Sequence, residues 1–572
     1  MIEKSNIIDF LLEPGIKFAT VSGIFTTKPS LIEWVDEHIP EIKVITTKSY
    51  TVQSRAGNKG PIIVETDVGC YGNAVGLKNP GMEKGYKDLV TLRKRHKLRS
   101  YLNISLSANS VEDFITLVQK FEDISDIIEL NFSCPHASDG YGASIGSQKS
   151  IVCSYMKKIR KATDVLLFPK LTPNVANIGE IAKGVVKSGA DGVVAINTVN
   201  PQVYFEPHSL TPLLSNPKGH KGGQSGRWIK HIALEKISEI RQSIGQDIPI
   251  IGMGGIETGV DVKNIIKAGA NIVGIGSVFA RVPMFQRPSF ISSLMKDAKS
   301  GTNEALTLIS HKRLAEYKPY KIKNITEIGD DLRIFELYGK LDYKASQFVF
   351  IFTPEYSREG PFSIAKNDPL TFIIRKRKHD PYRYQGLLTH ALFQLKKGDD
   401  LIVRAVYGGD APDSKKKNAY IIAGGTGIAV VPKLAEKLYQ QSKKVTVYYG
   451  ITNKQQIVFQ DEIEKYAKYI PVIDNGIVGR VLYVIKENIK DAENVCFYNI
   501  GPEMMMKKAM KIQKELGADA KEIFASIETN NMCGIGICGE CECGGKLTCE
   551  EGTFFSLDYL NSNNIDITSL EK

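Results

Sequence analysis

Short runs of β-branched and apolar residues recur through the first part of the chain. They fall at Phe18–Ser22, Lys43–Thr47, Tyr101–Leu106, Ile127–Phe132, Val165–Leu171, Gly192–Asn197, Pro249–Met253 and Asn271–Ile275. Amphipathic stretches lie between several of them, among them Ser110–Phe121, Ile178–Ser188, His231–Ile244 and Val260–Ala268. Strands apolar on both faces that alternate with helices build a parallel sheet. Eight such units in about 300 residues fit a (β/α)8 barrel. A doubly wound sheet has the same periodicity and stays open as the alternative. The pattern then changes. Leu332–Leu337, Gln347–Phe352, Leu370–Lys376 and Asp400–Val406 read as alternating strands separated by turn residues, which predicts a small antiparallel β-barrel. Residues 301–320 before them read as a linker. Ala419–Ala423, a helix and Val445–Tyr449 make one βαβ step, and Val495–Ile500 adds a strand. The expected fold class is α/β, in four parts: 1–305 the (β/α)8 barrel, 306–415 the β-barrel, 416–525 an α/β nucleotide domain and 526–572 a small cysteine-rich domain.

Composition supports several domains and removes other classes. A chain of 572 residues exceeds one hydrophobic core. Its 42% hydrophobic and 24% charged residues are ordinary globular values, against a disordered, fibrous or membrane-embedded chain. The apolar runs are strand-sized, well short of the roughly 18 residues of a membrane helix. The first residues include Glu3 and Asp9 and do not read as a signal or transit peptide, so a cytoplasmic, reducing compartment is expected. The net charge of +11 is mild, and no basic-aromatic motif accompanies it, so neither nucleic acid nor membrane is expected as a partner. Nine cysteines are few, yet five of them lie between Cys533 and Cys549. In a reducing compartment such a cluster points to metal or redox chemistry.

In a barrel the chemistry sits where strands end. Ser22, Lys48, Asn131, Ser133, Cys134, Lys170, Asn197 and Thr198 collect there. A lone lysine at such a place is ordinarily a solvated charge, and a cysteine before proline a small buried hydrophobe. Gly252-Met253-Gly254-Gly255-Ile256 and Gly274-Ile275-Gly276-Ser277 follow the seventh and eighth strands. Backbone amides freed by glycine can approach a phosphate there, helped by a helix N-terminus, and FMN fits; simple tight turns are the other reading. Gly424-Gly425-Thr426-Gly427 opens a helix after a strand, the usual place for a nucleotide phosphate, although short glycine motifs are common. Cys533, Cys538 and Cys541 follow C-x4-C-x2-C, with Cys549 as a fourth thiol. This is the plant-type spacing of a 2Fe-2S cluster, and zinc is the rival. Gly534, Gly536 and Gly539 permit the tight turns a small cluster needs. Cys543 is a spare cysteine in the same stretch, and Cys70 and Cys153 read as structural.

Several motifs together resemble a known family. Thr46-Thr47-Lys48-Ser49, Asn73 to Gly81, Glu129-Leu130-Asn131-Phe132-Ser133-Cys134-Pro135, Pro169 to Asn174, Asn197-Thr198 and Gly222-Gly223-Gln224-Ser225-Gly226 are similar to signatures of class 1 dihydroorotate dehydrogenases, in the family's order. The resemblance spans about residues 18–290. It implies FMN at the barrel mouth, with Lys48 and Lys170 on the flavin and Ser22, Gly223, Gly254, Gly255, Gly276 and Ser277 in the cofactor site. It implies a pyrimidine held by Asn73, Asn131, His136, Asn197 and Thr198, and Cys134 as catalytic base. The family carries Asn where this chain has His136. Residues of about 320–515 resemble the ferredoxin reductase type of flavoprotein. Pro361-Phe362-Ser363 would contact FAD, Gly386 and Thr389 its pyrophosphate, and Gly424, Gly425, Thr426 and Gly427, with Gly501-Pro502, the NAD side. Gly360 stands where that superfamily often has Arg, and Ile500 where it often has Cys. Residues 532–554 resemble the electron-transfer subunit of the NAD-linked (class 1B) enzymes, with Cys533, Cys538, Cys541 and Cys549 as cluster ligands. The resemblance therefore implies two subunits fused in one chain. It would oxidise dihydroorotate to orotate in pyrimidine biosynthesis, passing electrons from FMN through the 2Fe-2S cluster and FAD to NAD+, and would form a homodimer. An oxidoreductase of the same architecture with another pyrimidine-like substrate or electron acceptor is the alternative.

Overall fold

Each of the eight apolar runs becomes a parallel strand in the computed structural model, which describes residues 4–132, 143–217, 219–353, 358–377, 387–475 and 479–569. The strands are Phe18–Thr20, Ile42–Thr46, Tyr101–Leu106, Ile127–Asn131, Leu166–Lys170, Val193–Ala195, Ile250–Met253 and Ile272–Ile275. They close into a barrel, because the first pairs with both the second and the eighth. Closure removes the doubly wound alternative. The chain divides into two compact units, Met1–Ala315 with Ile535–Gly539, and Glu316–Gly534 with Glu540–Lys572.

The barrel interior changes character along its axis. Near the strand starts Ile127, Leu166, Phe168, Val194, Ile251 and Ile272 form an apolar cluster, closed by Ile7 and Leu11 of the helix Lys4–Leu12. Burying side chains of this size contributes roughly 1.5–3 kcal/mol each. Successive side chains on a strand face opposite sides, so residues two apart share one. On that rule Ile127 gives way to Glu129 and Asn131, and Leu166 to Phe168 and Lys170, so the same strands turn polar toward their ends. Three of the outer helices start on side-chain caps: Ser110 accepts from Asp113 N, Asn177 from Glu180 N, and Thr258 and Asp261 form a capping box.

One sheet of this unit includes a strand with no hydrophobic signature. Ile63–Asp67, Cys70–Asn73, Lys221–Gly226 and Val199–Val203 form an antiparallel sheet in that spatial order. The third of these strands reads Lys-Gly-Gly-Gln-Ser-Gly, which carries no apolar alternation. Its glycines serve close approach: a Cβ on Gly226, whose φ is +92°, would stand 2.1 Å from Gly69 O.

The second unit holds two sheets. Seven antiparallel strands form a half-barrel whose edge strand is Arg358–Ser363. Tyr317–Glu327 is one of them and pairs with two others, so the end of the expected linker belongs to this sheet. The six-stranded sheet is parallel except for Phe554–Ser556, which the cysteine-rich tail adds antiparallel to Ile523–Ser526. Asn418–Gly424 lies between Lys444–Ile451 and Val495–Ile500, so the strand order reverses there. Among the described residues no helix is long and apolar enough to cross a membrane.

Candidate active site and cofactor sites

Polar side chains from neighbouring strands meet in the upper barrel. Asn131 Nδ2 donates to Ser49 Oγ at 3.1 Å. Ser49 Oγ lies 2.8 Å from Ser105 Oγ, and Ser22 Oγ lies 2.9 Å from the first and 3.1 Å from the second. Ser105 donates to Glu129 Oε1 at 2.8 Å. At the other end Asn197 Nδ2 donates to Asn131 Oδ1 at 3.4 Å, and Asn197 Oδ1 accepts from Thr198 N at 2.8 Å. Ser22, Asn131, Asn197 and Thr198 therefore belong to one network. Thr198 Oγ1 is buried and has no hydrogen-bond partner among the described residues. An orphan of this kind needs a water or a ligand.

Lys48 and Lys170 are 8% and 5% exposed, so neither is a solvated surface charge. Burying an ammonium is costly without an opposite charge. For Lys170 that charge is Glu129, with Oε1 at 3.7 Å from Nζ. Asn73 is held on the antiparallel sheet, where its Nδ2 donates to Gly223 O at 3.2 Å and Ser225 Oγ at 3.4 Å. Cys134 and His136 lie outside the described residues, as does Ser133.

The two late glycine turns exclude side chains. Gly255 has φ +70°, and a Cβ there would stand 2.6 Å from Gly226 O. A Cβ on Gly276 would stand 2.8 Å from Val21 Cγ2. Gly254, Gly276 and Ser277 remain partly exposed, which leaves their backbone open to a phosphate. The expected help from a helix N-terminus is not directly at hand. The helix after the seventh strand starts only at Gly259, and the eighth strand leads into a 3-10 turn, Ser277–Arg281. The residues present suit FMN: two buried cations, an orphaned hydroxyl and two backbone cradles.

In the second unit the glycines sit where the strand order reverses, the usual ligand crevice of such sheets. A Cβ on Gly427 would stand 2.8 Å from Ile500 O, and one on Gly501 2.7 Å from Gly424 O. The loops after two adjacent strands thus pack backbone against backbone, while Gly425, Thr426 and Gly427 stay partly exposed. Tyr449 Oη donates to Gly425 O at 3.0 Å. On the half-barrel, Pro361, Phe362 and Ser363 occupy the edge strand. Thr389 Oγ1 accepts from Arg377 N at 3.0 Å, and Gly386 lies outside the described residues. A Cβ on Gly360 would stand 2.7 Å from Leu388 Cδ2, so a larger side chain there requires Leu388 to turn aside.

The cysteines of the tail differ in their surroundings. Cys533, Cys541 and Cys549 are buried in the second unit, and the sulfurs of Cys541 and Cys549 lie 3.3 Å apart. The thiols of Cys533 and Cys541, and then burial, hold the Cys549 thiol well above its ordinary range. Crowded thiols resist becoming thiolates together unless a cation shares them, so this donor set suits a metal or an iron–sulfur cluster. Cys538 lies in Ile535–Gly539, which belongs with the barrel unit. There Phe25 N donates to Ile537 O at 2.7 Å and Thr27 Oγ1 to Cys538 O at 3.0 Å. A Cβ on Gly539, at φ +70°, would stand 2.0 Å from Thr27 Oγ1. Cys543 instead packs in an apolar cluster with Ile527, Phe555 and Leu560.

The profile of the family described as dihydroorotate dehydrogenase matches residues 15–296. The catalytic subunit of dihydroorotate dehydrogenase B (NAD(+)) from Methanocaldococcus jannaschii is 40% identical over 234 residues, 41% of this chain and 74% of the relative. The chain belongs to the dihydroorotate dehydrogenase family. The corresponding subunit from Pyrococcus abyssi is 37% identical over 267 residues, 46% of this chain and 85% of that protein. The one from Thermococcus kodakarensis is 36% identical over 256 residues, covering 45% and 80%. A second profile, oxidoreductase NAD-binding domain, matches residues 421–511. A dihydroorotate dehydrogenase-like catalytic domain is thus fused to an NAD-binding oxidoreductase domain. The family implies FMN in the first of them.

For a chain of the dihydroorotate dehydrogenase family, reading strand ends alone overlooks part of the site. Glu129 and Ser105 lie inside their strands, and Ser49 follows Lys48. The available signal was a carboxylate within an apolar run, Ile127-Ile128-Glu129-Leu130, where burial demands a partner.

Proposed function

We propose that the chain oxidises dihydroorotate to orotate in pyrimidine biosynthesis and passes the electrons to NAD+. The observation that carries this reading is the buried polar barrel mouth. Two cations, an amide pair and a hydroxyl network sit at strand ends, in a chain of this family. The reaction removes a proton from one carbon and a hydride from its neighbour. FMN, when bound, supplies the hydride acceptor. Cys134 takes the proton as a thiolate. Asn73, Asn131, Asn197, Thr198 and His136 hold the substrate, since amides offer the donors and acceptors a pyrimidine dione edge requires. Lys48 and Lys170 hold the flavin, and the Gly254–Gly255 and Gly276–Ser277 turns hold its phosphate. Cys533, Cys538, Cys541 and Cys549 hold a 2Fe-2S cluster, favoured over zinc by their spacing. Pro361, Phe362, Ser363, Gly386 and Thr389 hold FAD, and the Gly424–Gly427 loop holds NAD. The proposed carrier order is FMN, cluster, FAD, NAD+. Free cysteines suit a reducing cytoplasm. His136 supports a second reading, in which the substrate is a different pyrimidine.

Cofactor analysis of the purified chain with a turnover assay tests this. FMN, FAD and two irons per chain are expected, with orotate formed as NAD+ is reduced. Full flavin and iron content without orotate would leave only the second reading.

A further inference from the structure

Glu129 is 1% exposed, in the middle of a barrel strand, and the proposed chemistry gives it no task. Its Oε1 accepts from Ser105 and faces Lys170, while its Oε2 has no hydrogen-bond partner among the described residues. An ionised carboxylate only accepts hydrogen bonds. Ser105 must therefore spend its one proton on Glu129, and it can only accept from Ser49 at 2.8 Å. Ser22 also donates to Ser105, at 3.1 Å, so Ser49 gives its proton to Ser105 or to Ser22 at 2.9 Å, and in either case accepts from Asn131 Nδ2 at 3.1 Å. With its amide nitrogen directed to Ser49, Asn131 presents Oδ1 to Asn197 Nδ2 at 3.4 Å. Asn197 Oδ1 is then left for Thr198 N at 2.8 Å. One acceptor-only group at the end of the row sets the direction of every bond in it.

The charge of Glu129 has a second consequence. Its carboxylate lies 3.7 Å from Lys170 Nζ, with both side chains nearly inaccessible to water. Where water is excluded, opposite charges this close cancel much of each other's field. Lys170 therefore acts on whatever lies above it as a partly neutralised cation.

We propose that Glu129 is the positioning residue of the barrel mouth, fixing the hydrogen-bond polarity of the Asn131–Asn197 pair and moderating the charge of Lys170. This rests on the reading above that Lys170 contacts the flavin and the two asparagines the substrate. Glu129→Gln keeps the shape, removes the charge and adds a donor, so Ser105 is no longer obliged to donate. Two readouts separate this role from a merely structural one. The first is the dissociation constant of sulfite, an anion that adds to oxidised flavin and reports the local positive potential. It is expected to fall about tenfold in Glu129→Gln as Lys170 acts with its full charge. The second is the split between KM and kcat for dihydroorotate, where KM is expected to rise about tenfold, the cost of one misdirected buried hydrogen bond. Ser105→Ala cuts the row but leaves the charge, so it should raise KM and leave sulfite affinity unchanged. Glu129→Asp, with charge kept and reach shortened, should behave as Ser105→Ala does and serves if the Gln variant does not fold. FMN content is measured alongside. A wild-type chain without FMN would overturn the underlying reading. FMN-loaded variants with unchanged sulfite affinity and unchanged KM would overturn the role of Glu129 alone.

Discussion

In the second unit Arg404 meets Glu359 at two points, 2.6 Å and 3.0 Å apart, and both side chains are buried. Tyr317 Oη also donates to Glu359 Oε2, Arg404 donates to Tyr407 Oη and Cys533 O, and its guanidinium lies 4.2 Å from the Phe350 ring centroid. Burial works against the charge of Arg404, yet the adjacent Glu359 carboxylate holds its pKa well above the usual value. In the barrel unit Lys170 meets Glu129 at a single point, 3.7 Å away, and one carboxylate oxygen has no hydrogen bond among the described residues. The first pair is complete and can only brace the turn that carries Cys533. The second is incomplete, as suits a site whose remaining partner is a ligand. A buried charge in a scaffold is satisfied by the protein, and one in a binding site is left partly for what binds.

The largest expected effect falls on the barrel side alone. Cys134→Ala should slow reduction of bound FMN by dihydroorotate about 10²–10⁴-fold, the span of a lost general base. Anaerobic bleaching of the flavin measures it, and NADH-driven reduction of an artificial dye should not change. Equal loss of both activities would break the division of labour between the units. Next comes the closed pair. Arg404→Met leaves Glu359 buried and uncompensated and should cost about 3–5 kcal/mol. Denaturant unfolding followed from the second unit should show it, with a parallel loss of iron because Cys533 O loses its donor. Lys170→Met also strands a buried carboxylate, but among the described residues Glu129 accepts only one hydrogen bond, from Ser105. A smaller loss of about 1–3 kcal/mol is expected, with a marked fall in FMN retention. If Lys170→Met proved the more destabilising of the two, the contrast between scaffold and site would fail.

The same contrast explains what was legible in the sequence. Strand-end residues at the barrel mouth belong to apolar runs, so both their position and their burial could be read, as for Lys170 after Leu166-Leu167-Phe168-Pro169. The role of Glu129 is not legible there because it lies in partners on other strands, Ser105 and Lys170, which sequence distance hides. The antiparallel sheet of Lys221–Gly226 carried no alternation, since its glycines serve backbone approach rather than burial. The linker ends earlier than expected because Tyr317–Glu327 alternates weakly: Tyr317 and Ile322 are buried, but six of the eleven residues are exposed. In the nucleotide domain the glycine loop was visible as a motif, while its reason, contact with Ile500 and Gly501, needed the fold. Gly427→Ala should accordingly cost about 1–3 kcal/mol through its 2.8 Å approach to Ile500 O and raise the KM for NADH. A shift in stability with no change in that KM would mean that the loop packs but does not bind.

The smallest effect is expected at Cys543, and it separates ligand from core within one stretch of chain. Cys541, Cys543 and Cys549 are all buried, so exposure does not distinguish them. Their surroundings do. Cys541 and Cys549 bring their sulfurs to 3.3 Å, while Cys543 packs with Ile527, Phe555 and Leu560 from the first strand of a two-stranded hairpin, Glu542–Cys543 with Lys546–Leu547. A thiol in apolar company behaves as a small hydrophobe, and removing its sulfur costs contacts but no charge. Cys543→Ala should retain full iron content and an unchanged visible spectrum, with a stability loss of about 1 kcal/mol. Cys541→Ala, two residues away on the same chain, should lose the iron. Iron lost from the Cys543 variant and kept in the Cys541 variant would exchange their assignments, and with them the spacing on which the cluster reading stands.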